Sequence, residues 1–258
     1  MQFIDSHTHL DFPEFDFDRD AAISRAIESG VSNIVVSATV AENWRKLEVA
    51  VKKYQPHCFA AYGLHPMFMP EHRQSHLSEL SDQLQKENVV AVGEIGLDFF
   101  IPNPDKEAQL NLFVTQLEIA SELSLPVIIH SRKSLDIVLK HLRKFPRLKG
   151  SIHSFSGSEQ QAKQLIDLGF YLGFGGPITY NRATRLQALV KNLPLGSLLL
   201  ETDSPDQPDS DHYGERNEPA YIHNVAETIA VLRGIDIEEV ASATTRNAQE
   251  LFGFDLKK

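Results

Sequence analysis

The stretch FIDSHTHLDF, residues 3–12, gives the first indication of the fold because it has the pattern of a β-strand that carries charged and imidazole side chains. Successive side chains of a strand point to opposite faces, so Asp5, His7 and His9 share one face. Two imidazoles spaced in this way can bind one metal ion. The pattern also fits an edge strand with a polar face, or buried histidines that bond to carbonyl groups, and the pair alone does not decide between these interpretations.

Eight β-rich segments alternate with segments of helical periodicity, such as residues 109–123, where apolar residues recur every three or four positions. The predicted strands cover residues 2–7, 33–38, 58–63, 89–96, 126–131, 150–155, 170–176 and 197–203. In a chain of 258 residues this alternation predicts a single-domain α/β protein, a (β/α)8 TIM barrel over residues 1–258. A doubly wound open sheet is the competing architecture. The segment IEEVASATTRNAQELFG predicts one or two closing helices.

Composition restricts the function. The formal charge of −10 argues against a broad basic surface that holds nucleic acid, so attraction of a polyanion has to be local. The single cysteine, Cys58, excludes a disulfide framework and predicts a buried thiol. The sequence shows neither an apolar run long enough for a membrane span nor a basic leader, which predicts a cytoplasmic protein without a membrane partner.

Polar residues recur where the predicted strands end, and in a TIM barrel these ends form one rim. Strands four, five, six and eight contribute Glu94, His130, His153 and Asp203. Each residue alone is explained by turn chemistry or by a core histidine. Together with the first-strand histidines, two acids and four imidazoles at one rim predict a metal site, because buried polar groups without partners cost free energy.

Six ligands exceed the needs of one tetrahedral ion, so we predict two divalent ions that share one carboxylate. Glu94 is the predicted bridge; His7, His9 and Asp203 complete the first ion, and His130 and His153 the second. The charge of two such ions exceeds that of the two carboxylates, so the pocket would attract a phosphate despite the acidic chain.

Motifs along nearly the whole chain carry a family resemblance. They are FIDSHTHLDF (3–12), GLHP (63–66), VGEIGLD (92–98), IIHSR (128–132), HSFSGS (153–158), GFGGPITY (173–180) and LLLETDSP (198–205). In these motifs the sequence resembles the TatD family of metal-dependent deoxyribonucleases, and within it the YjjV-like branch.

The resemblance implies a TIM barrel of the amidohydrolase-like superfamily that hydrolyses phosphodiester bonds of DNA, often from a strand end, with divalent metal. The family's ligand positions fall on the same six residues, the histidines at 7, 9, 130 and 153 together with Glu94 and Asp203. After ETDSP many relatives continue with an aromatic residue, whereas this chain has an acidic loop over residues 206–218. This departure leaves the substrate preference open.

Further residues at the rim suit a phosphate substrate. We predict that His65 and Arg132 contact the phosphate; the alternatives are that His65 only holds the turn before Pro66 and that Arg132 forms a surface ion pair. Asp98 and Glu201 either orient metal ligands or are ordinary polar residues of the barrel.

The predicted function is hydrolysis of DNA, single-stranded or at its ends, by water activated between two ions of Mg²⁺, Mn²⁺ or Zn²⁺. Asp203 is the predicted proton acceptor, and Glu94 bridges the ions. One alternative is hydrolysis of a small-molecule amide, lactone or phosphotriester on the same barrel. A second is a binding scaffold whose metals are structural and fully coordinated. Small-molecule hydrolases of this kind often carry a carboxylated lysine at the bridging position. This chain has Glu94 there, which favours the nuclease.

Overall fold

The computed structural model describes residues 1–254, in which eight parallel strands pair in chain order from β1 to β8. The strands are β1 (Phe3–Thr8), β2 (Val31–Ser37), β3 (Cys58–Tyr62), β4 (Val89–Asp98), β5 (Val127–Arg132), β6 (Gly150–Ile152), β7 (Phe170–Phe174) and β8 (Leu198–Leu200). This order confirms the TIM barrel and shows that the doubly wound alternative is wrong, because that fold places strands out of chain order. Residues 255–258 of the predicted domain lie outside the described part.

The barrel closes between its last and first strands through a few hydrogen bonds. Ser6 Oγ donates to the carbonyl of Leu200 at 2.9 Å. Beyond the strand ends, the backbone N–H of Asp203 donates to His7 at 3.0 Å, and that of His9 donates to Ser204 at 2.7 Å. All residues of β1 are buried, so the alternative of an exposed edge strand is wrong.

Helices follow the strands. They are α1 (Arg19–Glu28), α2 (Trp44–Lys53), α3 (Gln74–Gln83), α4 (Lys106–Leu123), α5 (Leu135–Leu142), α6 (Glu159–Asp167), α7 (Thr184–Asn192), α8 (Ile222–Arg233) and α9 (Ile237–Phe252). A capping box begins α6, where Ser158 and Gln161 bond each other's backbone N–H. The predicted closing segment forms one helix, α9. Within residues 1–254, no helix has both the length and the apolar composition needed to cross a membrane.

Two groups of buried apolar residues form the core. The larger joins strand residues to the surrounding helices, for example Phe113 of α4 and Ile229 of α8. The smaller joins Ile4, Ile128 and Leu199, each the second residue of its strand, to the end of α9. Helix α9 therefore covers the beginnings of these strands and leaves the opposite rim open.

The strand ends at that rim differ in detail from the prediction. Strand β4 continues past the predicted end at residue 96 to Asp98, because the ladder to β5 continues through Asp98 and Arg132, so Glu94 lies inside the strand and not at its end. By contrast, β6 and β8 stop early, so His153 and Asp203 follow their strands instead of ending them. His9 likewise lies just beyond β1. The polar residues still meet at one rim.

Candidate metal centre

Glu94 lies at the centre of a cluster of imidazoles, and its two carboxylate oxygens face different members of it. Oε2 lies 3.2 Å from Nε2 of His7 and 3.3 Å from Nε2 of His9. Oε1 faces three other nitrogens, at 3.0 Å from His65 Nε2, 3.0 Å from His130 Nδ1 and 2.8 Å from His153 Nε2. Each carboxylate oxygen thus faces its own set of imidazoles.

Asp203 completes the first of these sets. Its Oδ1 lies 3.2 Å from Nε2 of His7 and 3.5 Å from Nε2 of His9. The other oxygen, Oδ2, accepts a hydrogen bond from the side-chain amide of Gln207. Asp203 has a φ of 56°, in the left-handed region, at the turn that follows β8. The turn and the Gln207 amide together direct one oxygen of Asp203 toward the histidines.

Outer groups fix the orientation of three imidazoles. Nδ1 of His9 lies 2.9 Å from the carbonyl of Ser37, and Nδ1 of His7 lies 3.1 Å from the hydroxyl of the same serine. On the other side, Nε2 of His130 lies 3.1 Å from Oδ2 of Asp98. Metal-bound histidines usually donate their second ring N–H to such a group, which leaves the first nitrogen free for the ion.

Asp5 and Glu201 are buried next to this cluster and support its backbone. The carboxylate of Asp5 accepts from the backbone N–H of Thr202 at 3.0 Å and from its hydroxyl at 2.6 Å. Glu201 accepts from the backbone N–H of Ser154. A Cβ at Gly173 would overlap the Glu201 carboxylate, so this glycine makes room for an acid. Burial raises the pKa of Asp5 to about 7 and that of Glu201 to about 8.

The charges of the central groups depend on one another. Burial opposes ionisation of Glu94, but the imidazoles of His153, His65 and His7 outweigh it and hold the pKa of that carboxyl well below its usual value. Burial also opposes protonation of His7, yet the charge of Glu94 raises the pKa of His7 to about 10. Burial lowers the pKa of His65 to about 4. Because ligands bind metal without their protons, a metal ion held by His7 would displace this proton.

The donor atoms fit divalent metal ions. Three groups have ligand atoms within 4.8 Å of one another, namely His7 with His153 and Asp203, His7 with His9 and Glu94, and His65 with Glu94 and His130. Nε2 of His7 and Nδ1 of His153 are buried without a well-aligned hydrogen bond. Mixed imidazole and carboxylate donors suit zinc, manganese and similar ions. The cluster is therefore able to hold metal ions.

A cavity of about 570 Å³ opens onto this cluster. Arg132 lies at its edge and forms no ion pair with any residue in the range 1–254, so the alternative of a surface ion pair is wrong.

Of the acidic loop over residues 206–218, only Asp206 and Gln207 line the cavity. Arg216 holds the rest of the loop against Asp18, at 2.6 and 2.8 Å.

The structure brings together all six residues that were predicted as metal ligands and adds His65 to them. Besides its contact with Glu94, His65 accepts from the N–H of Met67 through Nδ1, as in the predicted turn. Two residues were missed. Ser37 is the last residue of β2, and a polar residue at a strand end is the signal by which the other site residues were predicted. Gln207 lies in an irregular loop and carried no such signal.

The fold and the cluster define a class, the metal-dependent hydrolases built on a TIM barrel. Residues 4–253 match the family described as TatD related DNase, and the chain belongs to this family. It is similar to the uncharacterized metal-dependent hydrolase YjjV of Escherichia coli, with 43% identity over 97% of this chain and 98% of the relative. The crystal structure of YjjV has a TM-score of 0.93 and 42% identity over 98% of both chains. A putative deoxyribonuclease, tatdn3 of Danio rerio, is 32% identical over 97% of each chain.

Proposed function

We propose that this metal-dependent hydrolase cleaves phosphodiester bonds of DNA at strand ends or in single strands, with two divalent ions. The single observation that carries the proposal is the division of the cluster by the two oxygens of Glu94. A carboxylate in this position suits a bridge between two ions. His7, His9 and Asp203 would hold one ion, and His130 and His153 the other.

The protein's own residues have separate tasks around this centre. When bound, the ions would supply an activated water and positive charge for the phosphate oxygens. Burial disfavours a charged Asp203, but the nearby His7 and His9 outweigh it and hold the pKa of Asp203 well below its usual value. The carboxylate is therefore ionised, as a proton acceptor has to be, and its proposed role is to take a proton from the attacking water. Arg132, at the edge of the cavity, would orient the phosphate through its guanidinium.

The position of the metal centre inside the cavity favours single-stranded DNA or a strand end as the substrate over the interior of a duplex. Glu94 is only 1% exposed and lies at the floor of the cavity, so a phosphate has to enter the cavity to reach it. An internal phosphate of a duplex is held on a wide, stiff rod, whereas a single strand is flexible enough to enter. The name of the family and the name of its relative tatdn3, a putative deoxyribonuclease, also support DNA as the substrate.

The test is turnover by metal-free protein reconstituted separately with Mg²⁺, Mn²⁺ and Zn²⁺. Each form is offered end-labelled single-stranded DNA, duplex DNA, RNA, a dipeptide and a lactone. We expect metal-dependent shortening of the labelled DNA from its end, and loss of this activity in Asp203→Asn. Rapid hydrolysis of the dipeptide or the lactone with intact DNA would contradict the proposal and favour a small-molecule hydrolase.

A further inference from the structure

We propose that Phe100, with Arg132 and Lys133, forms a subsite that stacks the base of a nucleotide next to the cleaved linkage. This inference rests on the proposed function, because it identifies how the nucleic acid is held at the same centre. The subsite lies in a second cavity, of about 650 Å³, between the end of β4 and the beginning of α5.

The second cavity adjoins the one above the cluster. The two share Ser131, Arg132 and Ser156 in their walls. A ligand whose phosphate lies at the metal centre would therefore pass Arg132 to place a further group in the second cavity. A nucleotide has this form, because its base is joined to the phosphate through the sugar.

Phe100 and the guanidinium of Arg132 that stacks on it together offer the base a flat surface. The side chain of Phe100 is 49% exposed, although large apolar side chains are usually covered. The guanidinium carbon of Arg132 lies 3.8 Å from the ring centroid, and Nζ of Lys133 lies 4.5 Å from it. Proteins that bind single-stranded nucleic acid without sequence preference combine such an aromatic platform with cations along the phosphate backbone. Bases also stack on arginine side chains.

The position of Phe100 is fixed relative to the metal centre by Asp98. One oxygen of Asp98 lies 3.1 Å from Nε2 of His130, and the other accepts the backbone N–H of Phe100 at 2.8 Å. The backbone N–H of Phe99 also donates to the carbonyl of Arg132 at 2.9 Å. One carboxylate thus holds both a candidate metal ligand and the turn that carries the aromatic ring.

The charges of this cavity suit an anionic strand. Neither Arg132 nor Lys133 forms an ion pair with another residue in the part of the chain that the structure describes. The acid in the cavity wall, Asp136, accepts a hydrogen bond from Gln161 at 2.7 Å. Two cations without a carboxylate partner therefore lie beside the aromatic ring, where they would attract the phosphates next to a stacked base.

A groove beside Phe17 provides the matched comparison. Phe17 is fully exposed, and lysines line the groove between α1 and α2 beside it. These lysines are already paired, Lys46 with Asp16 at 2.9 Å and Lys53 with Asp20 at 2.7 Å. This groove also shares no wall residue with the cavity above the cluster. It does contain Arg45, a cation without an ion pair in residues 1–254, so what it lacks is contact with the cavity above the metal centre.

The kinetic test removes the base and the ring separately. The substrates are two single-stranded oligonucleotides. In the first, an abasic sugar replaces the nucleotide on one side of the terminal phosphodiester linkage, and in the second it replaces the nucleotide on the other side. In the wild type, kcat/KM should fall about 5- to 100-fold when the stacking base is missing at one of these positions. In Phe100→Ala this penalty should shrink to less than twofold, whereas Phe17→Ala should keep the full penalty. An unchanged penalty in Phe100→Ala would overturn the subsite.

A fluorescence test does not depend on turnover. The only tryptophan, Trp44, is buried, so Phe100→Trp adds one exposed reporter. In a stopped-flow mixing experiment the reporter should be quenched by the oligonucleotide before cleavage, and less by its abasic form, while Phe17→Trp should not respond. Equal responses of the two reporters would contradict the subsite. If the wild type cleaves DNA without any base penalty, only this inference fails; if DNA is not cleaved at all, the proposed function fails.

Discussion

Glu94 and Asp203 each place one carboxylate oxygen 3.2 Å from the same atom, Nε2 of His7. One acid comes from the middle of the fourth strand and the other follows the last strand, so the convergence is a property of the closed barrel. Only Glu94 also reaches the second set of imidazoles through its other oxygen. Substitutions of these two acids are therefore expected to have different effects on the metal content of the protein.

Replacement of Glu94 should remove both proposed ions, because both would share its carboxylate. Glu94→Ala is expected to lower the metal content of purified protein from two ions per chain toward none. His153→Ala should lower it toward one, because this imidazole belongs to the second set. Elemental analysis after dialysis against each metal measures both values. Two ions per chain in Glu94→Ala would rule out the bridging arrangement.

Arg132 should affect turnover without affecting metal content. It lies at the edge of the cavity, away from the cluster of ligand atoms, and the removal of one donor to a charged transition state typically costs ~10²–10³ in turnover. Arg132→Ala is expected to keep two ions and to lose phosphodiesterase activity by about this factor. Arg132→Lys should recover only part of it, since an ammonium group cannot form the two parallel bonds of a guanidinium.

His65→Ala distinguishes two roles for His65. Its Nε2 lies 3.0 Å from Oε1 of Glu94, within the cluster, whereas the sequence predicted a phosphate contact. If His65 binds phosphate, the variant should keep two ions and lose turnover about as strongly as Arg132→Ala. Loss of an ion would instead identify this imidazole as a ligand, so metal content and kcat have to be measured on the same sample.

Asn217 should be important for stability because its amide supports the turn that contains Asp203. Its Nδ2 donates to the carbonyls of Thr202 and Asp206, each at 2.8 Å. Asn217→Asp replaces these donors by acceptors and should lower the free energy of unfolding by about 2 kcal/mol. The same change at the exposed Asn111 should alter it by less than about 0.5 kcal/mol. Urea denaturation of both variants tests the difference.

Acid should weaken the attachment of the 206–218 loop. The hydrogen bonds from Arg216, which outweigh slight burial, lower the pKa of Asp18 from 3.8 to about 2. Since the folded pKa is the lower one, the stabilisation is present above about pH 4 and is lost as the pH falls toward 2. Asp18 is partly exposed, so we expect a difference below about 1 kcal/mol. Between pH 5 and 3, the free energy of unfolding should fall less in Asp18→Asn than in the wild type. Asp82 is exposed, so in the control variant Asp82→Asn the free energy of unfolding should fall as much as in the wild type.

Binding of single-stranded DNA should depend only weakly on salt. Arg132 and Lys133 are the arginine and lysine side chains that line the two adjacent cavities, and the chain as a whole carries a charge of −10. With two or three phosphates neutralised, the slope of log affinity against log salt should be about −1 to −2. A slope of about −5 would show an extended basic surface instead.

The sequence predicts the barrel well because its signals are local. Each strand is a short β-rich run, and the imidazoles and acids follow these runs, so the shared rim places them together once the strands are parallel. The exact strand ends were less predictable. The continuation of β4 past Glu94 depends on pairing with β5, and pairing is a property of the partner strand.

The remaining parts of the site depend on contacts between distant segments. Gln207 reaches Asp203 from an irregular loop, and Ser37 contacts two histidines of another strand. Phe100 is an ordinary aromatic residue in the sequence, and only its exposure beside Arg132 distinguishes it. Such contacts have no periodic pattern that a single sequence reveals.

The closure between β8 and β1 also determines when the centre can form during synthesis of the chain. Thr8 and Ser204 bond each other across 196 positions, next to His7 and Asp203. A ribosome therefore produces four-fifths of the polypeptide before the last predicted ligand exists. Until then β1 has no partner on one side, and an unpaired strand edge tends to associate with other chains. The nascent protein thus carries its first two histidines on an unprotected edge until the final strand arrives.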